Sequence, residues 1–283
     1  MLEQLLVFLQ YFIPKHLLSR LIGFAANSEW VWLKDLMINW FIKHYKVDMS
    51  IAEDPSASDY TTFNNFFIRK IKAGLRPIAN APGVIVSPVD GTVSQFGEIA
   101  QGRLIQAKGM DYSLDGLLGG TEFEQQFWQG QFITLYLSPK DYHRVHMPFT
   151  GKLLEMTYVP GSLFAVNQAS TNQIPAIFAK NERVICMFET EIGKMAVIMI
   201  GAMIVASINT IWAGKVTPNK DKSIKSYVYN DVMLQRGQEM GYFSMGSTVI
   251  MLFEPKRMHW DASLHPDKSI KYGQKIGISV GRL

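Results

Sequence analysis

Apolar residues recur at helical spacing from the first positions to about residue 46. Leu2, Leu5, Leu6, Leu9, Phe12 and Ile13 form one set, and Leu17, Leu18, Leu21 and Ile22 a second. They predict two short helices, with Pro14 at or near the start of the second. A third helix is predicted from about Glu29 to His44, where Trp30, Trp32, Leu33, Leu36, Met37, Trp40 and Phe41 make an apolar load wider than one stripe. Either these side chains pack on the rest of the protein, or they lie at a membrane interface, where indole rings favour the boundary between headgroups and acyl chains. Residues 54–58 turn polar around Pro55 and read as a linker. Thr61-Thr62 then supplies a cap for a helix through Phe63, Phe66, Phe67 and Ile71.

Beyond Pro77 the pattern changes. Short runs rich in Val, Ile, Thr and Phe alternate with Gly, Pro, Asn and Asp, at 84–86, 92–96, 132–137, 153–159, 184–189, 195–200, 205–208 and 247–253. The expected fold class is α+β: N-terminal membrane-associating helices (1–53) followed by a compact β-rich body (54–283) of sandwich or barrel type. Residues 88–93 and 148–153, each a proline and glycine turn feeding a strand, are loosely alike, as a duplicated hairpin would be.

The composition narrows the function class. With 48% hydrophobic and 18% charged residues over 283 positions, the chain can bury a real core. It lacks the long apolar run of a spanning helix, so surface binding fits better. The net charge of +4 is spread thinly, which suits a weak attraction to anionic lipid and argues against nucleic acid as a partner. One cysteine, Cys186, excludes an internal disulfide and reads as a buried strand residue. The interruptions at Glu3, Gln10 and Lys15 argue against a secretory signal.

Three segments carry chemistry. In 241–250, Gly246 leaves the carbonyl before Ser247 open to close approach, the requirement for a serine hydroxyl that displaces its own amide nitrogen; a bare Gly-Ser-Thr is otherwise an ordinary turn. His143 and His146 follow Ser138-Pro139, which resembles a helix start and would put both imidazoles on one face. Such a pair is metal-binding, acid-base or simply satisfied in the core. With no Cys or third His nearby, metal ranks last. Asp90-Gly91 is a common turn, but Asp90 is also a candidate to orient an imidazole.

Together, Val89-Asp-Gly-Thr92, Tyr142-His-Arg-Val-His-Met-Pro148, Met245-Gly-Ser-Thr248, Phe63-Asn-Asn-Phe-Phe-Ile-Arg69 and Arg76-Pro-Ile78 resemble the bacterial phosphatidylserine decarboxylases over nearly the whole chain. Met245 stands where that family usually has Leu, a change that preserves volume and apolarity. The resemblance implies a pro-enzyme cut between Gly246 and Ser247 into a β chain (1–246) and an α chain (247–283) that stay together. Asp90, His146 and Ser247 would drive the cut, and Ser247 would become a pyruvoyl group, with no metal and no pyridoxal phosphate. That group would form a Schiff base with phosphatidylserine and release phosphatidylethanolamine and carbon dioxide, with His143 handling the proton. The expected place is peripheral, on the cytoplasmic side of the cell membrane, with self-association into a homo-oligomer left open.

Rival readings are a lipoyl- or biotinyl-type carrier, with Lys194 as its faint acceptor, a serine hydrolase on the same three residues, and a membrane-binding protein without catalysis. The hydrolase lacks a Gly-x-Ser-x-Gly elbow.

Overall fold

The computed structural model describes residues 2–203, 207–219, 222–244 and 247–280. Three helices open the chain, α1 (Leu2–Leu9), α2 (Lys15–Ala26) and α3 (Val31–Tyr45), as the periodicity predicts. Pro14 stands just before α2, where its missing N–H costs no helical hydrogen bond. The inward face of α2 is the reverse of an ordinary surface helix. Lys15, Ser19, Gly23 and Ala26 are buried, while Leu17, Leu21 and Phe24 are exposed, Phe24 at 84%. Trp30, Trp32 and Trp40 are exposed as well, which decides against their packing on the body. No helix among the described residues is long and apolar enough to cross a membrane.

Polar contacts tether these helices. Gln10 donates to Ser170 Oγ at 3.0 Å and accepts from the Ala165 N–H at 2.9 Å, and the Lys15 ammonium lies 4.3 Å over the Phe164 ring. The inner face of α3, Ile38 and Phe41, packs on Phe63, Phe66 and Phe67 of α4 (Phe63–Phe67), which Thr62 caps by accepting from the Asn65 N–H. This cluster runs across residue 53, so the helices and the body share it.

The body begins with β1 (Val84–Val86), β2 (Gly91–Glu98) and the hairpin β3 (Arg103–Ala107) and β4 (Met110–Ser113). Helices α5 (Leu114–Leu118) and α6 (Glu124–Phe127) lead to β5 (Gln131–Leu137), β6 (Arg144–His146) and β7 (Gly151–Val159). After α7 (Gln168–Thr171) and α8 (Ile177–Lys180) come β8 (Arg183–Thr190), β9 (Gly193–Ile200), β10 (Ser207–Thr210), β11 (Gly214–Lys215), β12 (Lys225–Val228) and β13 (Met233–Leu234). The chain closes with β14 (Glu239–Ser244), β15 (Ser247–Phe253), β16 (Met258–Trp260), β17 (Ser269–Ile270) and β18 (Lys275–Ser279). The predicted apolar runs coincide with strands, except that 205 and 206 lie outside the described residues. The hairpin β3/β4, strands β11–β14 and β16–β18 and helices α5–α8 were not predicted.

Among the described residues, nine strands form one antiparallel sheet, β12-β7-β8-β9-β15-β5-β2-β17, with β13 also on β7. Four more form β11-β10-β14-β6, and three form β1-β18-β16. Strand β15 is paired on both edges, with β5 and β9. Its apolar run is unbroken because both faces are covered. Val249, Met251 and Phe253 join a cluster with Val145 and Phe243 of the four-stranded sheet, whereas Ile250 and Leu252 join one closed by Leu114, Leu117, Ile177 and Phe178. Burying these five side chains is worth roughly 10 kcal/mol in transfer free energy. Cys186 is buried in β8 and burial pushes its thiol pKa up, which keeps it a thiol.

Candidate active site

Ser247 opens β15 and pairs with Leu137. Side-chain alternation puts it on the same face as Val249 and Met251, toward the four-stranded sheet. It is fully buried, and its Oγ has no hydrogen-bond partner among the described residues. A buried hydroxyl without a partner costs roughly 1–3 kcal/mol, so such an orphan calls for an explanation. Gly246, on the other side of the expected cleavage bond, lies outside the described residues.

His143 and His146 do not share a helix turn. In place of the expected helix, the Asp141 carboxylate accepts from Ser138 N–H at 2.8 Å and Ser138 Oγ at 2.6 Å, closing a turn. The chain then extends into β6, whose Val145 is buried in the core, and β6 pairs with β14. The two imidazoles therefore occupy different surroundings. His143 Nδ1 donates to the Asp141 carbonyl at 2.8 Å, which leaves Nε2 with its lone pair. That Nε2 is buried and unpartnered. The ring lies 4.1 Å from Phe67, and burial lowers its pKa to about 3, so the imidazole is neutral.

His146 Nδ1 donates to the Gly237 carbonyl at 2.9 Å, and its Nε2 accepts from the Tyr142 hydroxyl at 3.0 Å. Its ring stacks on Tyr272 at 4.1 Å and 6°. Burial lowers its pKa, partly offset by the Gly237 bond and by Glu239 and Asp90.

Asp90 is 2% exposed. Its carboxylate accepts from Arg76 Nε at 3.1 and 3.2 Å and from Arg76 Nη2 at 2.6 Å. It also accepts from the Tyr272 backbone N–H at 2.9 Å. The tautomer of His146 is thus set by Gly237, and Asp90 reaches His146 only through Tyr272, whose backbone binds one and whose ring stacks on the other. Asp90-Gly91 is not a hairpin turn: Gly91 starts β2, and a Cβ there would stand 2.5 Å from the Tyr136 carbonyl.

The backbone gathers these groups. The His146 N–H donates to Pro88 O, two residues before Asp90, and the Phe243 N–H donates to His143 O. Strand β5 separates β2 from β15, so Asp90-Gly91 and Ser247 sit two strands apart at one end of the sheet. Among the described residues, no hydrogen bond joins Asp90, His146 and Ser247 to one another.

The other quoted motifs serve as supports. Arg69 donates to the Lys140 carbonyl at 2.8 Å, and Arg144 binds Ile68 O and both Glu239 oxygens at 2.8–2.9 Å. With Phe67 on His143, residues 63–69 buttress the histidine segment. Sequence reasoning assigned no role to Arg76, Tyr142 or Tyr272; the first two lay inside quoted motifs, the third carried no signal. Among the described residues, no group of three or more His, Cys, Asp and Glu could hold a metal ion.

The family model described as "Phosphatidylserine decarboxylase" matches residues 63–278, and one described as "PSD" matches residues 5–46. The chain is 50% identical over 283 residues to the phosphatidylserine decarboxylase proenzyme of Ectopseudomonas mendocina, covering 98% of this chain and 99% of that one. It is 49% identical over 278 residues to the proenzyme of Hahella chejuensis (97% and 94%), and 48% identical over 282 residues to that of Pseudomonas aeruginosa (98% and 97%).

Proposed function

The chain belongs to the phosphatidylserine decarboxylase family, a carboxy-lyase made as a proenzyme, and we propose that it completes its active site by cutting itself between Gly246 and Ser247. The observation that carries this is the Ser247 hydroxyl, buried without a partner among the described residues at the head of a central strand.

In this reading Ser247 Oγ attacks the Gly246 carbonyl and the C–N bond breaks, leaving an ester. Loss of the Ser247 α-proton then expels the Gly246 carboxylate, and water converts the remaining dehydroalanine to a pyruvoyl group and ammonia. His146, held as the Nδ1–H tautomer by Gly237, is the base, and the Tyr142 hydroxyl on its Nε2 passes the proton to it. Asp90, anchored by Arg76, fixes Tyr272 and through it the His146 ring. The buried end of β15, where the Ser247 and Thr248 hydroxyls have no partner among the described residues, suits a small electrophile.

As a pyruvoyl group, residue 247 is a carbonyl that condenses with the serine amine of the lipid and accepts the electron pair left when carbon dioxide departs. His143 Nε2, neutral and unpaired, takes a proton from the incoming ammonium and returns it to the carbon after decarboxylation. The cut leaves a β chain and an α chain, the latter held by β15. The exposed apolar side chains of α1–α3 seat the enzyme peripherally on an anionic bilayer, which we place on the cytoplasmic side in keeping with the single buried thiol.

Denaturing mass spectrometry tests the cut: two fragments meeting at 246/247 are expected, the smaller with a carbonyl-blocked N-terminus. An intact chain with full decarboxylase activity would overturn it. His146→Ala should remain uncut, while His143→Ala should be cut but not decarboxylate. Equal processing defects would defeat this division of roles.

A further inference from the structure

A cavity of about 220 Å³ lies between α2 and the body, lined among others by His16, Arg20, Phe24, Glu182 and Lys215. Arg20 and Lys215 are exposed, and their side chains make no ion pair or hydrogen bond among the described residues. Glu182 is 5% exposed, accepts from the Tyr158 hydroxyl at 2.8 Å and from the Thr217 hydroxyl, and feels the charge of His16. Burial is the main influence on its carboxyl and pushes the pKa up. Two cations without a partner among the described residues thus line one cavity with a buried acid. Phe24 lies at the rim, on the helix face that also exposes Leu17 and Leu21.

From buried to exposed, the lining runs from the acid Glu182 to the cations Arg20 and Lys215 and the apolar Phe24. An aminophospholipid presents its complement in the same order, as primary ammonium, phosphodiester and acyl chain. Glu182 also lies at the end of the sheet that carries Ser247. The Gly201 N–H donates to Glu182 O, and Gly201 follows Ile200, which pairs with Thr248, the residue after Ser247. With strands about 4.8 Å apart, β8 lies roughly 10 Å from β15.

We propose that this cavity is a capture site for aminophospholipid headgroups, in which Arg20 and Lys215 bind the phosphodiester and Glu182 the ammonium before the headgroup moves to residue 247. The proposal goes beyond the Ser247 reading and rests on it only for the direction of that transfer.

Binding is measured on the uncut Ser247→Ala chain, so the result does not depend on catalysis. The probe is dihexanoyl phosphatidylserine below its micelle concentration, which removes bilayer attraction. Arg20→Glu with Lys215→Glu should weaken binding about tenfold. Glu182→Gln, which keeps an acceptor for Tyr158, should erase the preference for this lipid over dihexanoyl phosphatidic acid. Inorganic phosphate should compete weakly. Unchanged affinity in the double variant overturns the proposal, as does a loss seen only on anionic vesicles, or equal competition by inorganic phosphate. In the wild-type enzyme the double variant should raise KM for the soluble lipid with kcat and self-cleavage kept. A fall in kcat alone would equally sink the proposal.

Discussion

The N-terminal helices and strand β15 use the same residue types to opposite ends. In β15 every side chain from Ser247 to Phe253 is buried, whereas α1 and α2 turn Leu5, Phe8, Leu17, Leu21 and Phe24 to the outside and Lys15, Ser19 and Gly23 inward. Hydrophobicity therefore reports which solvent a segment is made for, and only the pattern of its neighbours tells water-excluding core from bilayer-facing surface. The proposed chemistry sits in the first environment, and the proposed access to lipid in the second.

The sharpest break between the two regions is a double dissociation. Ser247→Ala should abolish cleavage and decarboxylation outright, seen as a single band and no carbon dioxide release, while vesicle flotation is unchanged. Conversely, Leu17→Ser, Leu21→Ser and Phe24→Ser combined should cut vesicle binding at least about tenfold, since each apolar side chain contributes roughly 1.5–3 kcal/mol when taken out of water, and leave cleavage intact. Next in size is a contrast in stability. Met251→Ala in the core should cost about 2–5 kcal/mol by denaturant unfolding, whereas Phe24→Ser in water should change it by less than about 0.5 kcal/mol.

The smallest effect is one of pH. Burial depresses both histidines, His143 to about 3, so the folded state binds fewer protons than the unfolded one between about pH 3 and the ordinary histidine value of 6.5. Their neutral forms are fully compatible with the fold above pH 6.5, and stability falls as the pH drops below it, by at most about 1.4 kcal/mol per pH unit for each histidine. His143→Gln should flatten that acid limb in a thermal-melt series, with the helices' exposed face contributing nothing to the slope.

Much of the fold was legible because each region kept one period. The helices repeated at three and four, and the central strands were continuous apolar runs bounded by turn residues. The error at 138–148 came from weighing Ser138-Pro139 as a helix start. Val145, Met147 and Phe149, all buried, alternate with Arg144, His146 and Pro148, a period of two that was there to be read. Within the site, Asp90, His143, His146 and Ser247 stood out by residue type. Tyr272 did not, because it holds Asp90 through a backbone N–H that carries no trace of side-chain identity, and it meets His146 across more than a hundred positions. Arg76 sat in a recognised motif, but nothing local shows which carboxylate it binds.

The central place of β15 has one more consequence. Ser247 reaches its buried setting only when β5 and β9 are already in position on either side and both faces are covered. Under the proposed cut, maturation becomes a checkpoint on assembly: a precursor that has not closed its sheet lacks the environment for it. In that reading every active molecule has passed the inspection, and the segment freed by the cut stays held between two neighbours.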